Sequence, residues 1–203
     1  MKGMVKGLVC IAVLASVAVV EAQTKFPLRV DIDVSAKSSR KSIGAGMDGE
    51  AKTEQVQVRV KVRKSSSQPW DNPVSAELYV IGKQIHTGYY GIIDVQKGEF
   101  KFSKENDNTF EYTSPMYTLG RTSGNINVGG SYETYLVVIS DHNGEVIDTR
   151  SGRHIKDKGI EFIRKLGKKT LFDRDGNVIG ELENPGKAFK KAIPSATDPG
   201  NEY

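Results

Sequence analysis

The stretch FDRDGNVIG, residues 172–180, sets Asp173 and Asp175 ahead of Gly176, an order of oxygen ligands and glycine that calcium loops use. In a helix-flanked calcium loop the glycine is the sixth residue, and carboxylates at the first and twelfth close the cage. Setting Gly176 as the sixth puts Leu171 first and Leu182 twelfth, so both anchoring carboxylates are missing. The segment SDHNGEVID upstream has the same skeleton: Asp141 matches Asp173, Asn143 matches Asp175 and Gly144 matches Gly176. Asp-x-Asn/Asp-Gly suits a tight turn, because the first carboxylate accepts hydrogen bonds from its own turn and glycine tolerates positive φ. Two hairpin turns of one kind are expected, and no metal or other cofactor.

The remaining side chains capable of chemistry are scattered. His86, His142 and His154 share no spacing that places two ligands on one face, and neither a nucleophile elbow nor a glycine-rich phosphate loop is present. The reading is that the protein is not an enzyme. Trp70, in the polar loop SSSQPWDNP, offers a ring on which a sugar could stack, with Asp71 and Asn72 as hydrogen-bond partners and Tyr90 of TGYYG nearby. The alternative is that Trp70 folds back as a lid over one end of the core. Tyr89 and Tyr90 alternate at a strand start, which would leave only one of them on a binding surface.

Charge supplies the other candidate. Between residues 150 and 191 twelve basic residues stand against six acidic ones, so the overall charge of +4 is unevenly placed. Arg164, Lys165, Lys168 and Lys169, read as lying on or just after a short helix, could contact an anionic surface; the plain alternative is a solvated face. Aromatic residues are too few there for base stacking, so nucleic acid is not expected as a partner.

The elements that must position these residues are mostly strands. EQVQVRVKVRK alternates strictly, with Val56, Val58, Val60 and Val62 on one face, and LRVDIDV repeats the pattern. Further strands are expected at 76–82, 90–95, 99–103, 109–113, 132–140 and 145–149, punctuated by Gly, Asn, Asp and Pro, while SAKSSRKSIGAGMDGEAK reads as a long polar loop. KGIEFIRKLGKK carries Ile160, Ile163 and Leu166 at helical spacing with Gly167 as its cap, and KTLF with VIGEL forms a final hairpin. The fold class is mainly β: an antiparallel β-sandwich with one short C-terminal helix and a final hairpin.

Residues 1–22 begin with Lys2 and Lys6, continue through an apolar run to Val20 and end at Ala22, the pattern of a cleaved secretory leader. The apolar run is shorter than a bilayer requires, so no stable membrane span is expected after cleavage. Cys10 lies in that leader and is the only cysteine, so a mature chain holds itself together by core burial. The expected organisation is a leader over 1–22, a sandwich over 23–150, a basic helix plus hairpin packed on it over 151–190, and a flexible tail over 191–203.

GGSYETYLVVISDHNGEVIDT, residues 129–149, resembles the last hairpin of bacterial immunoglobulin-like and fibronectin-III-like domains: Gly130 and Tyr132 lead into a long strand, Asp141 and Gly144 make the turn, and Val146 and Ile147 return. The resemblance implies an immunoglobulin-like sandwich and no particular activity. Taken together, the sequence reads as an exported, non-catalytic structural or protein-interaction module of a bacterial envelope, secreted or periplasmic, with an envelope protein or polysaccharide as partner. The alternative is a small carbohydrate-binding protein that uses Trp70.

Overall fold

The computed structural model describes residues 28–42, 49–67, 70–124, 128–152, 155 and 158–182. Residues 1–22, read above as a leader, His154, the basic residues Arg153, Lys156, Lys187, Lys190 and Lys191, and residues 191–203 lie outside them. The described chain runs β1 (Leu28–Ser42), β2 (Gly49–Lys64), β3 (Val74–Gln84), β4 (Tyr90–Phe100), β5 (Thr109–Thr113), β6 (Tyr117–Gly124), β7 (Val128–Ser140), β8 (Val146–Ser151), α1 (Ile160–Lys165), β9 (Thr170–Phe172) and β10 (Val178–Glu181). Every strand pairing is antiparallel. Among the described residues no helix is long and apolar enough to cross a membrane.

In the first sheet β2 is central. β1 pairs with it along its full length, from Leu28 opposite Lys64 to Ser42 opposite Glu50. Its other edge takes β5 and then β6, which act as one strand interrupted at residues 114–116. There three residues face two, a bulge in which Val58 N–H donates to Ser114 Oγ (3.0 Å) and Ser114 N–H donates to the Val58 carbonyl (2.8 Å). Pro115, which has no N–H to give a ladder, is accommodated at this break.

The second sheet runs β8-β7-β3-β4-β9-β10, and a short β6–β7 ladder joins it to the first. The inner faces meet in a core where Val58, Val60 and Val62 of β2 oppose Leu78 and Val80 of β3 and Val137 and Ile139 of β7. The outer face of the second sheet is covered as well: Tyr79, Ile81, Leu136 and Val138 pack against Ile163, Leu166 and Phe172. Strands buried on both sides need continuous apolar runs, which is why β3 and β7 carry LYVI and LVVI where β2 alternates. The architecture is therefore a β-sandwich with a third, thin layer made by α1.

Four sequence expectations change. Of the expected loop over residues 35–52, the start, 35–42, continues β1 and the end, 49–52, opens β2; each described side chain from 35 to 40 is exposed, so no one-sided pattern marks the strand. β6 was not expected, since Gly120 breaks its short apolar signal. The segments 90–95 and 99–103 form one strand to Phe100, with Gly98 inside it. The helix stops at Lys165, and its cap is Leu166 in an extended conformation; positive φ falls on Lys169 (79°) instead of Gly167.

Two buried carboxylates bind the layers together. Glu77 accepts from Arg164 Nη2 of α1 at 2.7 Å and from Tyr79 Oη at 2.6 Å, and lies 3.1 Å from Lys97 Nζ. A register shift puts Asp94 opposite Val80, facing the first sheet. It accepts from Tyr117 Oη across the core at 2.7 Å and from Gln96 at 2.5 Å, and Lys168 Nζ stands 2.7 Å away.

Candidate functional site

The two aspartate turns are built alike. Asp141 Oδ1 accepts from Asn143 N–H and Glu145 N–H at 2.9 and 2.8 Å; Asp173 Oδ1 accepts from Asp175 N–H and Asn177 N–H, both at 2.8 Å. Gly144 and Gly176 sit at φ of 85° and 94°. Asn177 Nδ2 also donates to Asp173 Oδ2, and these bonds from Asn177 and Asp175 hold the Asp173 carboxyl below its ordinary value. The carboxylates thus serve their own turns, as the sequence skeleton predicts. Gly144→Ala and Gly176→Ala should each lower stability by about 1 kcal/mol or more, read by urea unfolding, because alanine at positive φ is strained. A Cβ at Gly144 would meet nothing within 4 Å, so an unchanged midpoint for that variant would contradict the backbone explanation.

Trp70 lies half-buried at the edge of the inter-sheet core, edge-on to Phe102 with centroids 6.4 Å apart. Phe102 meets Phe100 edge-on at 5.2 Å, and Phe100 stacks on Phe110 at 4.1 Å. These rings close the end of the sandwich where β3 begins and β4 ends. Asp71 and Asn72 are exposed beside them. Tyr90 is at the other end: Val74 pairs with Phe100 and Lys83 with Tyr90, which separates Trp70 from Tyr90 by about 30 Å at about 3.3 Å of rise per residue. Tyr79 of ELYV is buried under α1. The structure does not bring Trp70, Asp71 and Asn72 together with Tyr90.

At that other end Tyr90 lines a groove of about 790 Å³ with Lys83, Tyr89, Glu133, Lys158, Phe172 and the turn at 173–175. The β3–β4 connection makes one wall: Gly88 at φ 71° lets the chain reverse, Gln84 N–H donates to the Tyr89 carbonyl at 2.8 Å, and Tyr89 N–H donates to Thr87 Oγ1 at 3.1 Å. Tyr89 precedes the strand and escapes its alternation, so both tyrosines line the groove, contrary to the expectation from the sequence. Tyr90 stacks on Phe172 at 5.5 Å, Phe172 is braced edge-on by Phe162 at 5.8 Å, and Lys83 Nζ lies 5.4 Å from the Tyr90 ring centre. Glu133 is the extra residue where Ile81 pairs with Thr134 but Gly82 with Tyr132, and this bulge turns it to the groove. An aromatic wall rimmed by hydroxyls, ammonium groups and carboxylates suits a polyhydroxylated ligand.

The four basic residues singled out from the sequence divide. Arg164 pairs with Glu77 and, at 3.5 Å, with Glu161; Lys168 pairs with Asp94. Lys165 and Lys169 are exposed, although Lys169 also carries structure, its N–H donating to the Ile92 carbonyl at 2.9 Å and its carbonyl accepting from Leu182 at 2.7 Å. Half of the set therefore neutralises buried carboxylates. His86 and His142 are exposed in turns, and no group of three or more His, Cys, Asp or Glu able to hold a metal occurs among the described residues. No protein-family model matches the chain, and no curated protein does.

Proposed function

We propose that this chain is an exported, non-catalytic, immunoglobulin-like β-sandwich that acts as an interaction module of a bacterial envelope, and that it holds polysaccharide in the Tyr89–Tyr90 groove. The observation that carries this reading is the groove itself, where a braced aromatic wall meets charged and hydroxyl groups of both hydrogen-bonding senses. The leader-like residues 1–22 support export, and the β7–β8 hairpin over residues 129–149 supports the immunoglobulin-like relation. The carbohydrate reading thereby moves from Trp70, which seals the core, to the opposite end of the same strands.

Affinity electrophoresis through gels containing envelope polysaccharide tests it. The mature protein should be retarded, Tyr89→Ala and Tyr90→Ala should lose most of that retardation, and the ligand should be recovered uncleaved. Retardation that survives both substitutions and disappears with Trp70→Ala would favour the other end; release of new reducing ends would make the protein an enzyme.

A further inference from the structure

Beyond Val56 and Tyr117, which are still part of the core packing, the first sheet continues as an arm made of residues 35–42, 49–55 and 118–124; its β6 strand keeps Leu119 and Thr122 buried and pairs with β7 at Val128 and Gly129. In β1 every residue from 35 to 40 is exposed, where a strand covered on one face would alternate. The register of this arm sets Arg40 opposite Lys52 and Lys52 opposite Arg121, which makes a row of three cations across adjacent strands. With strands about 4.8 Å apart, the row spans about 10 Å on one face. Like charges directly opposite each other oppose pairing.

Elsewhere in the same sheet Arg29 also stands opposite Arg63, but there a carboxylate on the same edge answers both. Asp31, Lys61 and Glu111 stand side by side, with Asp31 contacting Arg29 (3.0 Å) and Arg63 (3.4 Å), and Glu111 contacting Arg59 and Lys61 (both 3.5 Å). On the arm the two carboxylates sharing the face of the row are engaged. Glu50 contacts Arg40 at 3.5 Å, and Glu54 accepts from Tyr132 N–H at 3.2 Å. Among the described residues neither Lys52 nor Arg121 makes an ion pair. The described side chains of the arm include four cations (Lys37, Arg40, Lys52, Arg121) against those two carboxylates.

We propose that this row is a contact site for a linear acidic polysaccharide, one bearing carboxylate or sulfate groups along its length. An anion laid across the row relieves the repulsion between neighbouring cations, and Ser38, Ser42 and Ser123 on the same face offer hydroxyl partners to a sugar chain. The exposed positions of the arm carry neither an apolar stripe for a membrane nor aromatic rings for nucleotide bases. The ligand class follows the polysaccharide reading above, whereas the site is separate from the groove.

Chromatography of the mature protein on heparin tests this, with polygalacturonate and dextran as soluble competitors. The protein should bind at low salt, elute as salt rises, and be displaced by polygalacturonate but not by dextran. The double variant Lys52→Gln/Arg121→Gln should bind about five- to tenfold more weakly, as loss of two half-buried charge contacts implies. Its melting temperature should be unchanged or raised, since repulsion is removed. Tyr89→Ala and Tyr90→Ala should leave heparin binding intact, so failure of the groove and failure of the arm are separable. Undiminished binding by the double variant would overturn the proposal, as would an equal loss with Lys165→Gln/Lys169→Gln. Stronger binding to vesicles rich in anionic lipid, or to a DNA duplex, than to polygalacturonate would also overturn it.

Discussion

Replacing Phe172 with alanine should lower stability by about 3–5 kcal/mol, the usual cost of removing a fully buried aromatic ring. In a protein of this size that corresponds to a fall in Tm of roughly 10 °C. Phe172 is completely buried, stacks on Tyr90 and is met edge-on by Phe162, so one ring joins β4, β9 and α1. β9 is paired to β4 at only two positions, Tyr90 with Phe172 and Gly91 with Leu171, beside the Lys169 N–H bond to the Ile92 carbonyl, so the Phe172 ring is a main tie between them. The cavity left by the substitution would lie behind Tyr90 and loosen the groove wall as well. Thermal and urea unfolding read the effect. A loss below about 1 kcal/mol would mean that the outer layer is not packed as described.

Arg164→Ala should cost about 3 kcal/mol or more near neutral pH, because it strips a buried carboxylate of its closest cation. Glu77 would keep Tyr79 and Lys97, but Lys97 is largely exposed and a poor substitute. The effect should depend on pH in a definite direction. Burial alone would raise the Glu77 pKa, yet hydrogen bonds from Arg164, Tyr79 and Lys97, together with the Arg164 charge, hold it below the ordinary 4.5. A carboxyl whose folded pKa is depressed contributes stability that is fully present above 4.5 and is lost as pH falls through the lower, folded value. Asp94 behaves likewise below 3.8: burial raises it, while Lys168, Tyr117 and Gln96 more than offset that. Wild-type stability should therefore fall as pH drops below about 4, and the difference from Arg164→Ala should shrink there. A difference that stays constant from pH 7 to pH 3 would contradict the assigned role of Glu77.

What could be read before the structure follows from where water lies. The valines of β2 announce a strand with one wet face, and the twin Asp-x-Asn/Asp-Gly skeletons announce turns whose bonding is local, at 141–145 and 173–177. Residues 35–42 gave no such signal because both of their faces are wet, and β6 gave little because Gly120 and small polar residues surround Leu119. Nothing in the local pattern around Glu77 and Asp94 marks them as interior; only the packing of α1 and of the facing sheet makes them so. Long-range placement explains the rest. Trp70 and Tyr90 are close in sequence terms to the same two strands but stand at their opposite ends, and the cationic row exists only through the register of three strands.

Polysaccharide bound at the Tyr89–Tyr90 end, as proposed, should be visible residue by residue. Backbone amide resonances of the mature protein, followed while short neutral fragments of envelope polysaccharide are added, test it most directly. Saturable shifts are expected at Gly88, Tyr89, Tyr90, Glu133 and Asp175, with Asp71 and Asn72 unmoved. Shifts confined to residues 70–72, or none at any fragment concentration, would contradict it.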